Sequence, residues 1–326
     1  MSKYLTLSVW AYLPCVIAAW LLIRFAGDRW WVATLMLFGP RWLYALPLTV
    51  LLPWVLLRRR RLLWLLVPAM LICLFPLAGF CVPWFGRPAA SEQDLRILSY
   101  NARGWVGGDA RLRELIRQTE PDIVAIQEHC GPWPEFWAAD WHVYTSNTLV
   151  IASPHPLLNL SVAHRIPYGR TDALCCVVQT PRGPVRFSNV HLQSPRVGLE
   201  AVLSRTTLVR PGRSHQLVAI TNFRREQAWN VRTFAVQDCG AEIIAGDFNM
   251  PADSTIYRRS WRDLRNAFSE VGWGFGYTKR SEIPGMTYGA RIDHVVATDT
   301  WRPIRCWVER DVGSDHLPLI ADFARK

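Results

Sequence analysis

The sequence predicts an α/β fold with mixed β-sheets, preceded by an apolar segment that crosses a membrane. From residue 95 onward, short apolar runs typical of buried strands alternate with helical patterns. Most of these runs are followed closely by a carboxylate, an amide or an imidazole. Residues 1–86 carry only nine formal charges, four of them in a single Arg run, and such a composition is typical of membrane segments.

The N-terminal segment contains three candidate transmembrane helices. Residues 4–23 and 62–86 are uncharged stretches of 20 and 25 residues, and each can cross a hydrocarbon core of about 30 Å. The middle candidate, Trp42–Leu57, has only 16 residues and is marginal alone. Arg41 can snorkel to the interface, and Trp30–Pro40 adds apolar length before it. We therefore predict a membrane anchor over residues 1–86 with about three transmembrane helices, and a lipid bilayer as its partner.

The Arg58–Arg61 run predicts the orientation of this anchor. Positively charged loops stay in the cytoplasm, so the third helix should lead outward. The expectation is a multi-pass protein of the cytoplasmic membrane whose C-terminal domain is extracytoplasmic. This orientation holds only if the short middle segment spans the bilayer.

The net charge of +11 is distributed unevenly along the chain. Residues 1–87 contain nine Lys or Arg and one Asp, a net charge of +8, which leaves +3 for the remainder. The basic character therefore belongs mostly to the membrane-flanking part and is not the footprint of a nucleic-acid-binding protein. A weakly basic C-terminal domain is compatible with an anionic substrate.

The sequence predicts a linker over residues 87–94 and one folded domain over residues 95–326. Within it, apolar and β-branched runs predict these strands, in chain order: Leu95–Ser99, Ile123–Ile126, Asn147–Ala152, Ala173–Gln179, Val185–Val190, Glu242–Ala245 and His294–Ala297. Periodic patterns predict helices over Leu112–Gln118 and Asn222–Gln237. Arg224, Arg225 and Arg232 would form a solvated face of the second helix, and residues 205–220 would form a loop.

Six polar motifs follow one another in this domain. They are Ser99-Tyr100-Asn101-Ala102-Arg103-Gly104, Ile126-Gln127-Glu128, Asn189-Val190-His191-Leu192, Gly246-Asp247-Phe248-Asn249, Arg291-Ile292-Asp293-His294 and Ser314-Asp315-His316-Leu317-Pro318. Any one of them is weak evidence of function. Because a sheet delivers the ends of its strands to one rim, all six together predict a single polar site.

Together the motifs resemble the endonuclease/exonuclease/phosphatase superfamily, which includes DNase I, over roughly residues 95–326. The resemblance implies a four-layer sandwich of two mixed β-sheets flanked by helices. It also implies a metal-dependent hydrolase of phosphate esters, whether phosphodiesterase, phosphatase or endonuclease. Three helices followed by this domain resemble a membrane-anchored bacterial subgroup that includes a glycopeptide-resistance-associated protein.

The resemblance assigns metal-binding roles to Asn101, Glu128 and Asp315, with Glu128 as the principal ligand. Hard cations such as Mg²⁺ prefer a few carboxylates plus water over a closed nitrogen or sulfur cage. Mg²⁺ is therefore the expected cofactor, with Mn²⁺ as the alternative.

Five further residues are expected to perform the chemistry. Asp247 should orient the attacking water, and the Asn249 amide should donate to a phosphate oxygen. His316 should act on the scissile phosphate as an acid or a charge stabiliser, with Asp293 fixing its tautomer and raising its pKa. His191 should stand on the opposite side of the phosphate.

The cysteine spacing does not predict a zinc site. Cys130, Cys175, Cys176, Cys239 and Cys306 lie in the C-terminal domain, and their spacing matches no zinc pattern. Their pairing in disulfides stays open at this point, as does the oligomeric state.

The expected function is a membrane-anchored phosphoesterase that hydrolyses a phosphate ester or pyrophosphate of a lipid or cell-envelope substrate. One alternative is an extracytoplasmic DNA or RNA endonuclease. The other is a catalytically inactive binding or resistance protein. The elements by which DNase-like members contact DNA cannot be placed in this sequence, so a lipid-linked and a nucleic-acid substrate both stay open.

Overall fold

The computed structural model describes residues 2–83, 95–104, 109–130, 136–165, 170–203, 214–283 and 286–326. The chain divides into two compact units. The first comprises Met1–Phe80, Gly198–Thr221 and Asp253–Thr255, and the second comprises Cys81–Val197, Asn222–Ala252 and Ile256–Lys326. The predicted linker, residues 87–94, lies outside the described residues, and the predicted domain bounds stay predictions.

The helices run as follows in chain order: α1 (Ser2–Ala26), α2 (Trp31–Phe38), α3 (Leu48–Arg58), α4 (Leu63–Ile72), α5 (Asp109–Thr119), α6 (Arg196–Leu203), α7 (Ser214–Arg232), α8 (Thr255–Trp261) and α9 (Ala267–Val271). Shorter helical turns join or extend them: Arg41–Ala45, Arg60–Leu62, Cys73–Leu77 and Thr233–Asp238.

Two helical runs in the first unit are long and apolar enough to cross a membrane, Lys3–Ala26 and Arg60–Leu77. Helix α2 and the run Arg41–Arg58 pass the same test together but meet at 91°, which fits a broken span or a re-entrant loop. The described residues therefore contain two candidate spans, or three if the bent pair is one span. The bend falls between Phe38 and Arg41, just before the segment that the sequence marked as marginal.

Two charged side chains of the first unit find partners within that unit. Arg41 donates to both carboxylate oxygens of Asp253, at 2.7 and 3.0 Å. Asp28 is buried and accepts hydrogen bonds from the Ser254 hydroxyl at 2.7 Å and the Thr255 main-chain N–H at 2.8 Å. A buried charge is tolerated when it is paired and hydrogen-bonded. Arg41, which we expected to snorkel, is instead neutralised by a carboxylate.

The described residues form fourteen strands: β1 (Leu95–Asn101), β2 (Ile123–Gln127), β3 (His142–Ser146), β4 (Leu149–Ser153), β5 (Leu157–Arg165), β6 (Arg170–Thr180), β7 (Gly183–His191), β8 (Ile243–Asp247), β9 (Arg265–Asn266), β10 (Lys279–Ile283), β11 (Met286–Ala290), β12 (Asp293–Ala297), β13 (Trp301–Val308) and β14 (Leu319–Arg325). All seven strands predicted from the sequence are among them.

The strands build two six-stranded mixed sheets and one hairpin. The first sheet has the order β13-β14-β1-β2-β4-β3, the second has the order β5-β6-β7-β8-β12-β9, and β10 pairs with β11. In the first sheet β1 and β2 are parallel, and in the second sheet β7 and β8 are parallel. The carboxyl ends of these parallel pairs are where the predicted polar motifs begin.

The two sheets pack face to face, with helices outside. One apolar cluster combines inner-face residues of both sheets, among them Ile97 and Phe187. A second cluster joins Leu98, on the outer face of the first sheet, to α5, and a third joins Ile244, on the outer face of the second sheet, to α7 and α8. Because both faces of the sheets are covered, central strands such as β2 and β8 are short apolar runs in the sequence. The predicted four-layer sandwich is confirmed.

The predicted helices need one correction. Helix α5 contains the predicted Leu112–Gln118. Helix α7 begins at Ser214 rather than Asn222, and the regular helix ends at Arg232 before a π-helical turn. Residues 214–220, expected as loop, are helical, and Leu217 within them is buried.

Gly246 is the position where strand packing demands a glycine. Its φ is +146°, and a Cβ there would lie 2.0 Å from the Val190 main-chain oxygen on the neighbouring strand. We expect Gly246→Ala to lower the free energy of unfolding by about 3 kcal/mol or more, because backbone strain and steric overlap both contribute. Gly274→Ala is the matched control, because Gly274 also has a positive φ but no atom within 4 Å of the added Cβ. Unfolding followed by circular dichroism should show the larger loss at Gly246, and equal losses would contradict this explanation.

Candidate active site

Asp247 lies at the centre of the polar site. It ends β8, where it pairs in register with His191 at the end of β7 and with Asp293 at the start of β12. Directly opposite residues on adjacent strands project to the same face of a sheet. Asp247 is only 1% exposed, so the three side chains meet in a buried corner.

The first group of potential ligands surrounds one oxygen of Asp247. His191 Nε2 lies 3.5 Å from Glu128 Oε1 and 3.8 Å from Asp247 Oδ2. The Asn101 amide donates to the same two oxygens, at 3.2 and 3.0 Å. The ligand atoms of Glu128, His191 and Asp247 all lie within 4.8 Å of one another. Two carboxylates, an imidazole and an amide therefore converge from four different strand ends.

A second group shares the same Asp247 oxygen. His316 Nε2 lies 3.8 Å from Asp247 Oδ2, and His316 Nδ1 contacts the Asp293 carboxylate at 2.9 and 3.1 Å. The Asp293 main-chain N–H donates to Thr278 Oγ1 at 3.2 Å. The predicted Asp293–His316 pair is thus present, with Nε2 of His316 directed towards Asp247.

Asn249 supports Asp247 from the same motif. Its main-chain N–H donates to Asp247 Oδ1 at 2.8 Å, and its side-chain amide donates to Asp247 Oδ2 at 3.0 Å and to the Leu192 carbonyl at 2.8 Å. We expected this amide to donate to a phosphate oxygen, and that role stays a prediction. In the structure, the amide fixes the orientation of the Asp247 carboxylate.

Arg224 corrects the expectation of a fully solvated helix face. It is 1% exposed and donates to the main-chain oxygens of Gln193 at 3.0 Å and Asn249 at 2.7 Å. A guanidinium can satisfy several carbonyls at once, because its donors form a rigid fork. Arg224 therefore ties α7 to the residues that follow two of the site motifs.

Backbone strain coincides with the motifs. Three non-glycine residues there adopt positive φ angles: Arg103 (+47°), Glu128 (+53°) and Asn249 (+51°). A left-handed conformation at such residues costs of the order of 1–3 kcal/mol, and it persists where the surrounding structure enforces it, often at active sites. Here it turns the chain sharply just after β1, β2 and β8.

The buried charges shift one another's protonation. Burial, reinforced by the Asp293 carboxylate, raises the pKa of Asp247 to about 7. Burial also disfavours the ionised form of Asp293, but the adjacent His316 outweighs it and lowers the pKa of Asp293. Burial opposes protonation of His316, yet Asp293 and then Asp247 raise its pKa. The Asp293 carboxylate thus raises the pKa of His316, as expected from the sequence, whereas burial raises the pKa of Asp247.

Asp315 is placed differently from the other predicted site residues. Its carboxylate forms ion pairs with Lys279 and with Arg103, the latter at 3.2 Å. It belongs to neither group of potential ligands found among the described residues. Its role as a metal ligand stays a prediction. In the structure, it is paired with two positively charged side chains, Lys279 and Arg103.

Buried hydrogen bonds of two motif side chains, Gln127 and Asn189, join the two sheets. The Gln127 amide donates to Asn189 Oδ1 at 2.7 Å, and the Asn189 amide donates to the carbonyls of Ile126 and Val150 at 2.9 and 2.8 Å. Gln127 and Asn189 lie inside two of the motifs, next to Glu128 and two residues before His191. Their position inside the motifs could have identified Gln127 and Asn189 from the sequence, although we assigned them no role.

Three other residues beside the site, Arg170, Thr278 and Lys279, could not be identified from the motifs. Arg170 Nη2 lies 3.4 Å from His191 Nδ1, and Thr278 and Lys279 contact Asp293 and Asp315. All three lie outside the motifs, and only the fold brings them to the site. His294, which is adjacent to Asp293, points away and contacts the Met250 carbonyl through Nε2 at 2.9 Å, as strand alternation requires.

None of the five cysteines of the C-terminal part forms a disulfide within the described residues. Cys175, Cys176 and Cys306 are buried, Cys239 is half-buried and Cys130 is exposed. Burial raises the pKa of the Cys176 thiol to about 12. These buried thiols behave as small apolar residues of the sandwich.

Comparisons with known proteins agree with this architecture. The chain is similar in fold to TDP2 of D. rerio complexed with a single-strand DNA product, with a TM-score of 0.52, 16% identity, and coverage of 72% of this chain and 100% of that one. It is also similar to the 3′ phosphatase NExo from Neisseria bound to a product DNA hairpin, with a TM-score of 0.51, 19% identity, and coverage of 71% and 99%. An endonuclease/exonuclease/phosphatase from Beutenbergia cavernae gives a TM-score of 0.51 and 20% identity, covering 71% of this chain and 72% of that one.

At these identities the structural likeness establishes the fold alone. A search of curated proteins finds no match to this sequence. The sequence model of the Endonuclease/Exonuclease/phosphatase family, in contrast, matches residues 98–316. That match begins in β1 and ends at His316, so it includes the first five motifs and Ser314-Asp315-His316 of the sixth. The chain belongs to the Endonuclease/Exonuclease/phosphatase family.

Proposed function

We propose that the chain is a membrane-anchored, metal-dependent phosphoesterase that hydrolyses a phosphate ester or pyrophosphate of a lipid or cell-envelope substrate. The observation that carries the proposal is the convergence of two carboxylate–imidazole groups on Asp247. Hydrolysis of a phosphate ester needs a positioned water, stabilisation of developing negative charge and a proton for the leaving oxygen. The residues around Asp247 offer a candidate for each requirement.

The residues present fit a hard divalent cation. Glu128 and Asp247 bring carboxylate oxygens within 4.8 Å of each other and of His191 Nε2, and Asn101 contacts both carboxylates. Carboxylate oxygens suit Mg²⁺, and they suit Mn²⁺ as well. Such an ion, when bound, would polarise the phosphoryl oxygen and lower the pKa of a water molecule.

Each remaining side chain has a defined task in this proposal. The Asp247 carboxylate, held by Asn249 and Asn101, orients the attacking water. His316, protonated beside Asp293, stabilises the developing charge or donates a proton to the leaving oxygen. His191 contacts the phosphate from the opposite side.

The substrate class follows from the proposed anchor. The apolar helices of the first unit would tether the catalytic residues to a bilayer, and tethering raises the effective concentration of any substrate in the same membrane. The Arg58–Arg61 run lies at the start of the last candidate span, so the positive-inside rule supports an extracytoplasmic site. A phosphate on a lipid headgroup or lipid-linked envelope precursor would then be the nearest anion.

A nuclease acting outside the cell is the second candidate. Two proteins of the same fold, TDP2 and NExo, were solved with DNA, and phosphodiester hydrolysis needs the same catalytic groups. The weak net charge of the C-terminal part, +3 over residues 88–326, favours a small anionic headgroup over an extended polyanion.

The deciding assay gives the full chain, reconstituted in detergent–lipid micelles, three substrates side by side. They are plasmid DNA, a phospholipid diester and a polyprenyl pyrophosphate, each with Mg²⁺ and with chelator. Chelator-sensitive release from a lipid substrate is the expected result. Cleavage of DNA alone would make the protein a tethered nuclease, and silence on all three would favour a binding protein without catalysis.

A further inference from the structure

A short aromatic loop leads directly into the site. Residues 272–278 read Gly-Trp-Gly-Phe-Gly-Tyr-Thr, and we call residues 273–277 the aromatic loop. Trp273 is 62% exposed and Phe275 is 36% exposed. The Phe275 ring stacks on the Tyr277 ring, with 5.2 Å between their centroids. Such large apolar exposure within five residues suggests a surface that meets something other than water.

The aromatic loop is held firmly at its centre by Cys81. Gly274 and Cys81 exchange two main-chain hydrogen bonds, at 2.8 and 3.0 Å. Arg291 donates to Cys81 Sγ at 2.9 Å, and its guanidinium lies 5.0 Å from the centroid of the Phe268 ring. Gly276 packs directly on Phe268, where an added Cβ would lie 2.4 Å from the ring. These contacts fix the backbone of the loop, while Trp273 and Phe275 stay exposed to solvent.

Along the chain, Cys81 follows the last candidate span after a short connection. That span, Arg60–Leu77, ends four residues before Cys81, and four extended residues reach at most about 14 Å. The headgroup layer itself is about 5–8 Å thick on each side of the hydrocarbon core. Trp and Tyr side chains concentrate in this layer, because their apolar body and polar tip suit it.

The other end of the aromatic loop reaches the proposed catalytic residues. Thr278 follows Tyr277, and its hydroxyl accepts hydrogen bonds from the main-chain N–H groups of Ile292 at 3.3 Å and Asp293 at 3.2 Å. The next residue, Lys279, pairs with Asp315. The same segment therefore connects the point where the chain leaves the span to the Asp293–His316 pair.

We propose that the aromatic loop is a membrane contact, in which Trp273 and Phe275 insert into the headgroup layer and hold the site rim at the depth of lipid phosphates. This proposal rests on the proposed membrane anchor and deepens the proposed function, because it selects phosphates at a bilayer surface over soluble ones. The occupant of the exposed aromatic surface is the lipid headgroup layer of the membrane that carries the anchor.

Fluorine NMR of the full chain in lipid nanodiscs tests the contact directly. The 17 tryptophans are labelled as 5-fluorotryptophan, and the Trp273 signal is assigned by its loss in Trp273→Phe. A lipid carrying a spin label near its headgroup should broaden the Trp273 signal, and a water-soluble paramagnet should broaden it less. Fully buried Trp261 is the internal reference that neither reagent should affect. Strong broadening of Trp273 by the water-soluble reagent alone would overturn the proposal.

A second measurement uses activity. The double variant Trp273→Ala/Phe275→Ala should reduce hydrolysis of a vesicle-embedded phospholipid about tenfold more than hydrolysis of a soluble chromogenic phosphodiester. Trp229→Ala, which removes a comparably exposed tryptophan, 57% exposed on α7, should leave that ratio unchanged. Equal losses on both substrates would overturn the membrane contact and leave the loop a structural role.

The failure of the proposed function is distinguishable from the failure of this inference. If the wild-type chain hydrolyses neither substrate, the phosphoesterase proposal fails, and the NMR measurement still decides whether Trp273 meets lipid. A reporter fused after Lys326 tests the orientation of the anchor separately, because the NMR result in nanodiscs does not depend on orientation.

Discussion

Asp247→Ala and Glu128→Ala should each abolish most of the phosphoesterase activity while leaving the fold intact. Each change removes a carboxylate that would hold the cation or the attacking water, and such groups contribute of the order of 10²–10⁴ in rate. Because both carboxylates serve one site, the double variant should lose little more than either single variant. Initial rates at saturating Mg²⁺ measure the effect.

The control for this prediction is Asp299→Ala, since the Asp299 side chain is 89% exposed. It should keep the wild-type rate. Circular dichroism should show the same secondary structure in all three variants, because the removed carboxylates are not part of the apolar core. Near-wild-type turnover in both site variants would refute the site assignment.

His316→Ala should lower the rate by about 10²–10⁴, which is the usual contribution of a positioned proton donor or acceptor. Asp293→Asn should have a smaller effect on rate but a distinct effect on pH dependence. Asp293 is the main group that raises the pKa of His316 against burial. Removing its charge therefore lowers that pKa.

The sign of the pH effect follows from the role of His316. If its protonated form is active, the rate falls as pH rises through the pKa of His316. Asp293→Asn lowers this pKa, so the alkaline decline of the pH–rate profile should begin at a lower pH than in the wild type. His155→Gln provides a matched control, since it breaks a histidine–carboxylate contact outside the site, between His155 and Asp122 at 3.3 Å. An alkaline limb unmoved by Asp293→Asn would exclude this role for the pair.

The catalytic fold was largely predictable because its strands are buried on both faces. Runs such as Ile123–Ile126 and Ile243–Ala245 are continuously apolar and lead into motif residues, so their identity as strands was clear. Strands β10, β13 and β14 mix charged and apolar residues and are recognisable only by their pairing. The start of α7 was missed because residues 214–220 carry a weak pattern beside a stretch with Pro211-Gly212.

The candidate site was predictable as far as its motifs extend. Asn101, Glu128, His191, Asp247 and Asn249 are brought together as the motif order implied. Sequence order could not reveal Arg170, Lys279 or Thr278, because each reaches the site from a strand end or loop with no motif of its own. It also could not reveal that Asp315 is neutralised by two cations, since that depends on the neighbouring hairpin.

For the N-terminal membrane segment, the sequence predicted the apolar helices but not their geometry or their long-range contacts. Hydropathy found two helical runs that the structure also identifies by length and composition, Lys3–Ala26 and Arg60–Leu77. Helix α2 and the run Arg41–Arg58 meet at 91°, just before the predicted middle segment, and an apolar pattern carries no information about such a bend. Pairing of Arg41 with Asp253 is a long-range contact, and no local pattern predicts it.

Metal binding to the full chain, measured by Mn²⁺ electron paramagnetic resonance alongside phosphate-ester hydrolysis, tests the central claim most directly. The proposed site predicts saturable Mn²⁺ binding that Glu128→Ala and Asp247→Ala weaken strongly, Asp299→Ala leaves intact, and hydrolysis follows in proportion to occupancy. Hydrolysis that persists without bound metal, or Mn²⁺ binding that both site variants leave unchanged, would contradict it.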